Sequence, residues 1–201
     1  MIGKVLIIAA AVLTFLSALL YLLGFFKKNE KMSLFGSSLY ALSTGAIISA
    51  AFYLMWNIFQ FNFQFTYIWE YASRELDAYF LFASFFAGQQ GSFLLWLLML
   101  SIIGLILIPS LRKYDYENIA MPFFNLILLF ILVILVFKSP FEYVWESFAK
   151  DGVEVGFMPE NGRGMNPILQ NYWITIHPPI LFLGYSLMSI PFVLALAGLV
   201  K

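Results

Sequence analysis

Histidine occurs once in the 201 residues, at His177, directly ahead of Pro178 and Pro179. A neutral imidazole is a good ligand for iron, zinc or copper. It also serves at a membrane interface by hydrogen-bonding a loop carbonyl, and the residue alone leaves both roles open. Zinc needs several ligands in one place, and a lone histidine in a chain without cysteine does not supply them. Heme needs only one or two axial protein ligands and a large apolar, aromatic surround. Aromatic residues make up 19% of this chain. Upstream, Gly162-Arg163-Gly164-Met165-Asn166-Pro167-Ile168-Leu169-Gln170 reads as a turn punctuated by glycine and Asn-Pro. Its Arg163 can pair a carboxylate such as a heme propionate, or it can be a solvated loop charge. Tyr172 and Trp173 follow, either as interfacial belt residues or as faces on which a porphyrin stacks.

Other polar groupings carry less chemistry. In Ala87-Gly88-Gln89-Gln90-Gly91-Ser92 the two glycines permit close backbone approach and Ser92 is a possible helix N-cap. No Gly-Lys-Ser/Thr follows and no strand precedes, so this is not a nucleotide loop. Glu70 and Arg74 stand four apart and are expected to support a surface helix, with Glu75 beside them. Paired catalytic carboxylates, a Ser-His arrangement and a proton relay within the apolar stretches are all missing.

The elements that position His177 follow from composition. Hydrophobic residues are 62% of the chain and charged ones 11%, against roughly 45–50% and about 25% in a soluble domain. The apolar runs are continuous rather than alternating, which selects helices over a barrel. The expected fold is an all-α integral membrane protein with five transmembrane helices, about 2–26, 33–57, 91–108, 119–137 and 178–200, in a single membrane domain. Ser38, Ser43, Gly45 and Ala51 give the second span small residues for close helix approach. The first span is longer than the ~7–15 residues of a signal-peptide core and ends in Lys27, Lys28 and Lys31, so it is expected to be retained. Residues 58–86 are expected at the surface, partly as interfacial helix, and 138–176 as a longer polar loop. The third span should stop at Pro109, and the fifth should start at His177-Pro178-Pro179, where proline suits a first helical turn.

Lys27, Lys28, Lys31, Arg112, Lys113 and Lys201 all follow spans on one side. That side is assigned as cytoplasmic, with Lys4 a weak dissent. The N-terminus, both longer loops and His177 then lie outside. Lys+Arg equals Asp+Glu, so no field for nucleic acid exists; the expected surroundings are a lipid bilayer.

Three stretches together carry a resemblance. They are Tyr67-Ile68-Trp69-Glu70-Tyr71-Ala72-Ser73-Arg74-Glu75-Leu76, then Ala87 through Trp96, then Gly164 through Trp173 running into Ile176-His177-Pro178-Pro179-Ile180-Leu181-Phe182-Leu183-Gly184-Tyr185. In order and spacing they resemble the N-terminal part of CcmF, the heme-lyase subunit of cytochrome c maturation, within the wider CcsA-type heme-handling proteins. The resemblance implies heme held at the outer face of the inner (plasma) membrane, on a Trp-rich loop flanked by two ligating histidines. His177 matches the first of these, and Arg163, Tyr172 and Trp173 become candidate heme contacts. It also implies a heme-delivery protein and apocytochrome c as partners.

Two departures qualify it. Gln90 and Phe86 stand where many relatives have Glu and Trp, which removes a carboxylate from that turn. The Trp-rich loop, the second outer histidine and an intramembrane histidine pair fall beyond Lys201. One histidine cannot build bis-histidine heme, so the chain is expected to be a truncated or split protein that needs a C-terminal CcmF-like partner. It is expected to be part of a holocytochrome c synthase rather than active alone. Two other readings stay open: a non-catalytic scaffold, which would bind partners with heme content independent of His177, and a heme transporter subunit, which a liposome flux assay would reveal.

Overall fold

The computed structural model describes residues 1–201 and is all-α, with no β-strand beyond an isolated bridge. Five helices are long and apolar enough to cross a membrane: α1 (Ile2–Lys27), α2 (Glu30–Phe59), α5 (Gln89–Lys113), α6 (Glu117–Phe137) and α8 (Tyr172–Val200). Three short ones, α3 (Thr66–Tyr71), α4 (Ala78–Ala83) and α7 (Val144–Ser147), lie in the connections. The protein is therefore a multi-pass α-helical membrane protein, and each expected apolar stretch lies on one of the five long helices.

The long helices exceed the apolar runs because polar caps extend them. Asn29 accepts a hydrogen bond from Lys31 N–H and starts α2 three residues before Ser33. Asn171 does the same for Trp173 N–H, so α8 begins at Tyr172 and not at His177. Pro178 and Pro179 then lie inside the helix, where each denies a hydrogen bond to the carbonyl four residues back. Likewise α5 runs through Pro109 to Lys113. A membrane helix tolerates such prolines because neighbouring groups and local adjustment satisfy the freed carbonyls.

Helices α1, α2, α5 and α6 form a ring in which each packs on two others, and α8 leans on α5 and α6 from outside. In the most apolar window of α6 56% of the residues are buried, against 22% for α8. Along α1 the inward seam runs Gly3, Ile7, Ala10, Thr14, Ser17, Tyr21, Gly24. Small and polar residues there let helices approach and bond across: Thr14 with Ser43 at 2.7 Å, and Ser17 accepting from Asn125 Nδ2 at 3.2 Å. Each such bond in lipid contributes about 0.6–2 kcal/mol.

At one end of the bundle, Arg112 donates to both carboxylate oxygens of Glu117, at 2.6 and 2.9 Å, and the Tyr21 hydroxyl donates to the same carboxylate. Glu117 is 5% exposed, a position tolerable for a carboxylate only with partners of this kind. The Lys201 ammonium closes this end over the Tyr116 ring. Lys27, Lys28, Lys31 and Lys113 belong to the same end, which we call the basic end.

The opposite end carries the two longer connections. Residues 60–88 are less superficial than expected: Phe63, Phe65, Tyr67, Ile68 and Ala72 are buried in the common core. Phe65 and Tyr143 form an antiparallel bridge, with Thr66 N–H on Glu142 O and Val144 N–H on Gln64 O, both at 2.9 Å. Lys4 pairs with Glu146 and draws the start of α1 onto this end.

Candidate functional site

The site is built from the loop end. Helix α3 stops at Tyr71 because Ala72 turns to extended backbone, and the chain beyond it is captured by residues some ninety positions away. Arg163 N–H donates to Trp69 O at 2.7 Å and Gly164 N–H to Ala72 O at 3.2 Å. A Cβ on Gly162 would strike the Ala72 carbonyl, and Gly164 sits at φ +75°, so glycine is required for this approach. Asn161 accepts from Arg74 N–H at 3.1 Å and donates to both Glu75 oxygens at 2.9 Å.

This arrangement corrects the pairing of Glu70 with Arg74. The helix that would have juxtaposed them ends too early. Arg74 instead donates to Glu160 O and lies over the Phe61 and Phe63 rings. Glu70 is pushed up by partial burial and drawn back down by the Arg163 charge. The Arg163 guanidinium rests 4.1 Å from the Trp69 ring centroid. The expected turn at 162–170 is present, with Asn166 accepting from Ile168 N–H, a short 3-10 turn Pro167–Leu169, and Gln170 donating to Met165 O.

Ser92 is not the N-cap of α5. The cap position is Gly88, and the Ser92 hydroxyl donates to Phe86 O at 2.8 Å. The close approach expected of the two glycines is present, because a Cβ on Gly88 or Gly91 would run into the Tyr67 and Tyr71 side chains.

Tyr172, Trp173 and His177 share the first turns of α8. Tyr172 and Trp173 meet edge to face at 5.4 Å, and the Tyr79 hydroxyl of α4 donates to Tyr172 O at 3.1 Å. His177 lies four residues after Trp173, hence on the same helix face. That face is bare: Trp173 is 68% exposed, Ile180 63% and Met188 68%, and His177 and Gly184 are exposed too. Arg163 belongs to a separate group, seated on α3. The candidates therefore divide into a helix set (Tyr172, Trp173, His177) and a loop set (Arg163 with Trp69 and Glu70). None of the principal cavities is lined by His177. As a heme site the residues fit in part: one exposed imidazole and an aromatic edge are present, and an enclosing wall is not.

Comparison with known proteins places the chain in a family. The family described as cytochrome C assembly protein matches residues 86–201, more than half of the chain and all of the helix set. The chain belongs to the cytochrome c assembly protein family. It is 27% identical to the cytochrome c-type biogenesis protein NrfE of Haemophilus influenzae, over 98% of this chain and 30% of that protein. It is also 27% identical to the cytochrome c-type biogenesis protein CcmF of Escherichia coli, over 87% of this chain and 26% of that one. A solved cytochrome c heme lyase CcmF shares the fold, with a TM-score of 0.77 at 20% identity, over 98% of this chain and 29% of that chain. The chain thus spans under a third of the length of these relatives.

Sequence reasoning missed Trp69, on which Arg163 rests, and the Asn161–Glu75 tie that holds the neighbouring loop. The available signal was the glycine pair flanking Arg163, which marks a backbone that must pack closely on something.

The Glu75 carboxyl lies below the ordinary glutamate value, chiefly because Asn161 donates to it. A lowered folded value means the tie is complete above the ordinary carboxylate range and is lost as pH falls through the folded value. Amide-exchange protection at Arg163 and Gly164, corrected for intrinsic rates, is expected to fall between roughly pH 5 and pH 2. Glu75→Gln is expected to flatten that profile; an unchanged profile would place the tie elsewhere.

Proposed function

We propose that this chain is a heme-positioning component of the cytochrome c maturation machinery, offering His177 as one axial ligand at the outer membrane face. The observation that carries the reading is the bare face of α8. Trp173 and His177 stand on it together, both exposed, at the end opposite Lys27, Lys28, Lys31, Arg112, Lys113 and Lys201. The bias of basic residues to one end supports placing that end in the cytoplasm and the N-terminus outside, in the inner (plasma) membrane. Heme held there would supply vinyl groups for attachment to the thiols of apocytochrome c. Arg163, Tyr172 and Trp173 are the candidates for contact with the propionates and the porphyrin face.

His177 is the only histidine in these 201 residues; the second axial ligand and the enclosing wall are assigned to a C-terminal CcmF-like region, or a partner chain, carrying the Trp-rich loop. A heme-delivery protein and apocytochrome c complete the set. A second reading is favoured by two observations: Arg163 is already stacked on Trp69, and no principal cavity adjoins His177. In it the chain is a scaffold that docks the heme-bearing subunit.

Co-expression with a membrane protein bearing a Trp-rich loop, followed by purification on this chain, separates the two. Heme absorption that appears in the complex and in neither subunit alone is the expected result. Equal heme on the partner with and without this chain would establish the scaffold instead.

A further inference from the structure

The basic end holds a polar cavity of about 350 Å³ lined chiefly by Glu30, Ser33, Arg112, Asp115, Glu117 and Asn118. Two of its oxygens lack hydrogen-bond partners although buried. Ser33 is 7% exposed with its Oγ unpaired, and Asn118 Oδ1 is likewise buried and unpaired. The two oxygens are neighbours: a Cβ on Gly24 would lie 3.1 Å from the first and 3.2 Å from the second, and both side chains line this cavity. Buried oxygens of this kind are normally satisfied, so the cavity is short of a donor.

The charges say which donor. Arg112 is committed to Glu117, which cancels that pair. Glu30 and Asp115 enter no ion pair in the structure, so the cavity keeps two carboxylates with no cation in contact. No group of three His, Cys, Asp or Glu side chains is arranged to hold a metal ion. A primary ammonium, with three N–H donors and one positive charge, suits the remaining acceptors.

Asn118 also lines a second cavity, of about 190 Å³ and almost wholly apolar, formed by Leu22, Phe25 and Phe26 of α1, Phe123 and Leu126 of α6, and Val200 of α8. Phe26 and Leu126 are 75% and 59% exposed, so this slot opens toward lipid. A polar hole and an apolar slot meeting at one residue match a headgroup and the acyl chain below it. Lys27, Lys28 and Lys31 stand at the same end as cations for a phosphate.

We propose that this end of the bundle binds a phospholipid with a primary-ammonium headgroup, of the phosphatidylethanolamine class. The ammonium enters the polar cavity against Ser33, Asn118, Glu30 and Asp115, and one acyl chain occupies the slot beside Phe25 and Phe123. Binding requires both parts of the lipid, the N–H donors and the chain.

The test measures lipid retained by the purified full chain in detergent, by native mass spectrometry. The probes are phosphatidylethanolamine, phosphatidylcholine and phosphatidylglycerol with identical acyl chains. Choline carries the same charge without N–H donors, so ethanolamine lipid is expected to be retained about tenfold better, the worth of one charged hydrogen bond. Glu30→Gln and Asp115→Asn keep side-chain shape, and asparagine tolerates the φ of +57° at position 115. Each is expected to bring the ratio toward unity at unchanged elution volume and helix content. Equal retention of ethanolamine and choline lipids overturns the proposal, as does preference for phosphatidylglycerol or a ratio unmoved by both variants. Displacement by an equal concentration of glycerophosphoethanolamine, which has no chains, overturns the lipid assignment.

Discussion

In the assembled maturation complex, His177→Gly is expected to lower the yield of holocytochrome c at least about tenfold, the lower end of what losing even a supporting group costs a metal site. Added imidazole is expected to restore part of that yield, because glycine leaves the ligand's place open. The exposure of His177 makes the test clean. Its side chain is at the surface of α8, so its removal opens no cavity, and the structural cost is about 0.5 kcal/mol of helix propensity. His177→Ala removes most of that cost and is expected to lose yield equally. A histidine that merely hydrogen-bonded a loop would behave differently, lowering the thermal midpoint while heme content stayed constant. Normal maturation in both variants would refute ligation by His177.

The contrast between helix and loop explains how much of the molecule could be read from residues alone. Continuous apolar runs are a local property, and each of the five located a long helix. The helix ends were less legible, because Asn29, Gly88 and Asn171 cap α2, α5 and α8 outside the apolar stretch. Hydropathy reports membrane depth, and a helix extends past that depth wherever a polar cap allows it. Proline at 109 and 178 marks a boundary in water and not in a packed membrane helix. The loop end was hidden for another reason. Arg163 meets Trp69 and Asn161 meets Glu75 across some ninety residues, and nothing in local spacing encodes such pairings. The i,i+4 pairing of Glu70 and Arg74 failed for that cause: Ala72 is extended, its carbonyl accepts from Gly164 N–H, and Arg74 N–H donates to Asn161, so the helix does not reach Arg74. The candidate set was legible in its helix half, where Tyr172, Trp173 and His177 are neighbours in sequence. The heme role itself came from resemblance, since the residue chemistry of His177 left it open.

Gly91→Ala is expected to destabilise the protein by about 3 kcal/mol, an overpacking cost at the upper end of the usual range. Gly91 lies in the first turn of α5, where an added Cβ would overlap the Phe85 carbonyl oxygen and the Tyr67 hydroxyl, with Tyr67 Cζ at 2.7 Å. A flexible side chain can yield to such a methyl group, but a backbone carbonyl cannot move without carrying its turn along. Tyr67 is fixed as well. It is 2% exposed, its hydroxyl reaches the Ser84 and Phe85 carbonyls at 3.0 and 2.9 Å, and it accepts from Gly88 N–H at 3.1 Å. Burial drives this phenol far above its ordinary pKa, so it stays a donor at all working pH. Tyr67→Phe is expected to cost about 1–3 kcal/mol by stranding those partners. The double variant is expected to fall short of the sum, because removing the hydroxyl relieves one of the three close contacts at Gly91 and leaves the Phe85 carbonyl and the ring Cζ. Gly45→Ala supplies the control: nothing lies within 4 Å of a Cβ there, and helix propensity alone is expected to raise stability by up to about 1 kcal/mol. Thermal midpoints in one detergent decide the matter, and equal midpoints for the two alanine variants would show that the turn can shift. The consequence reaches the loop set, since Tyr67 shares α3 with Trp69, on which Arg163 rests. Loosening the glycine turn should therefore also lower amide protection at Arg163, at a distance from any change in α8.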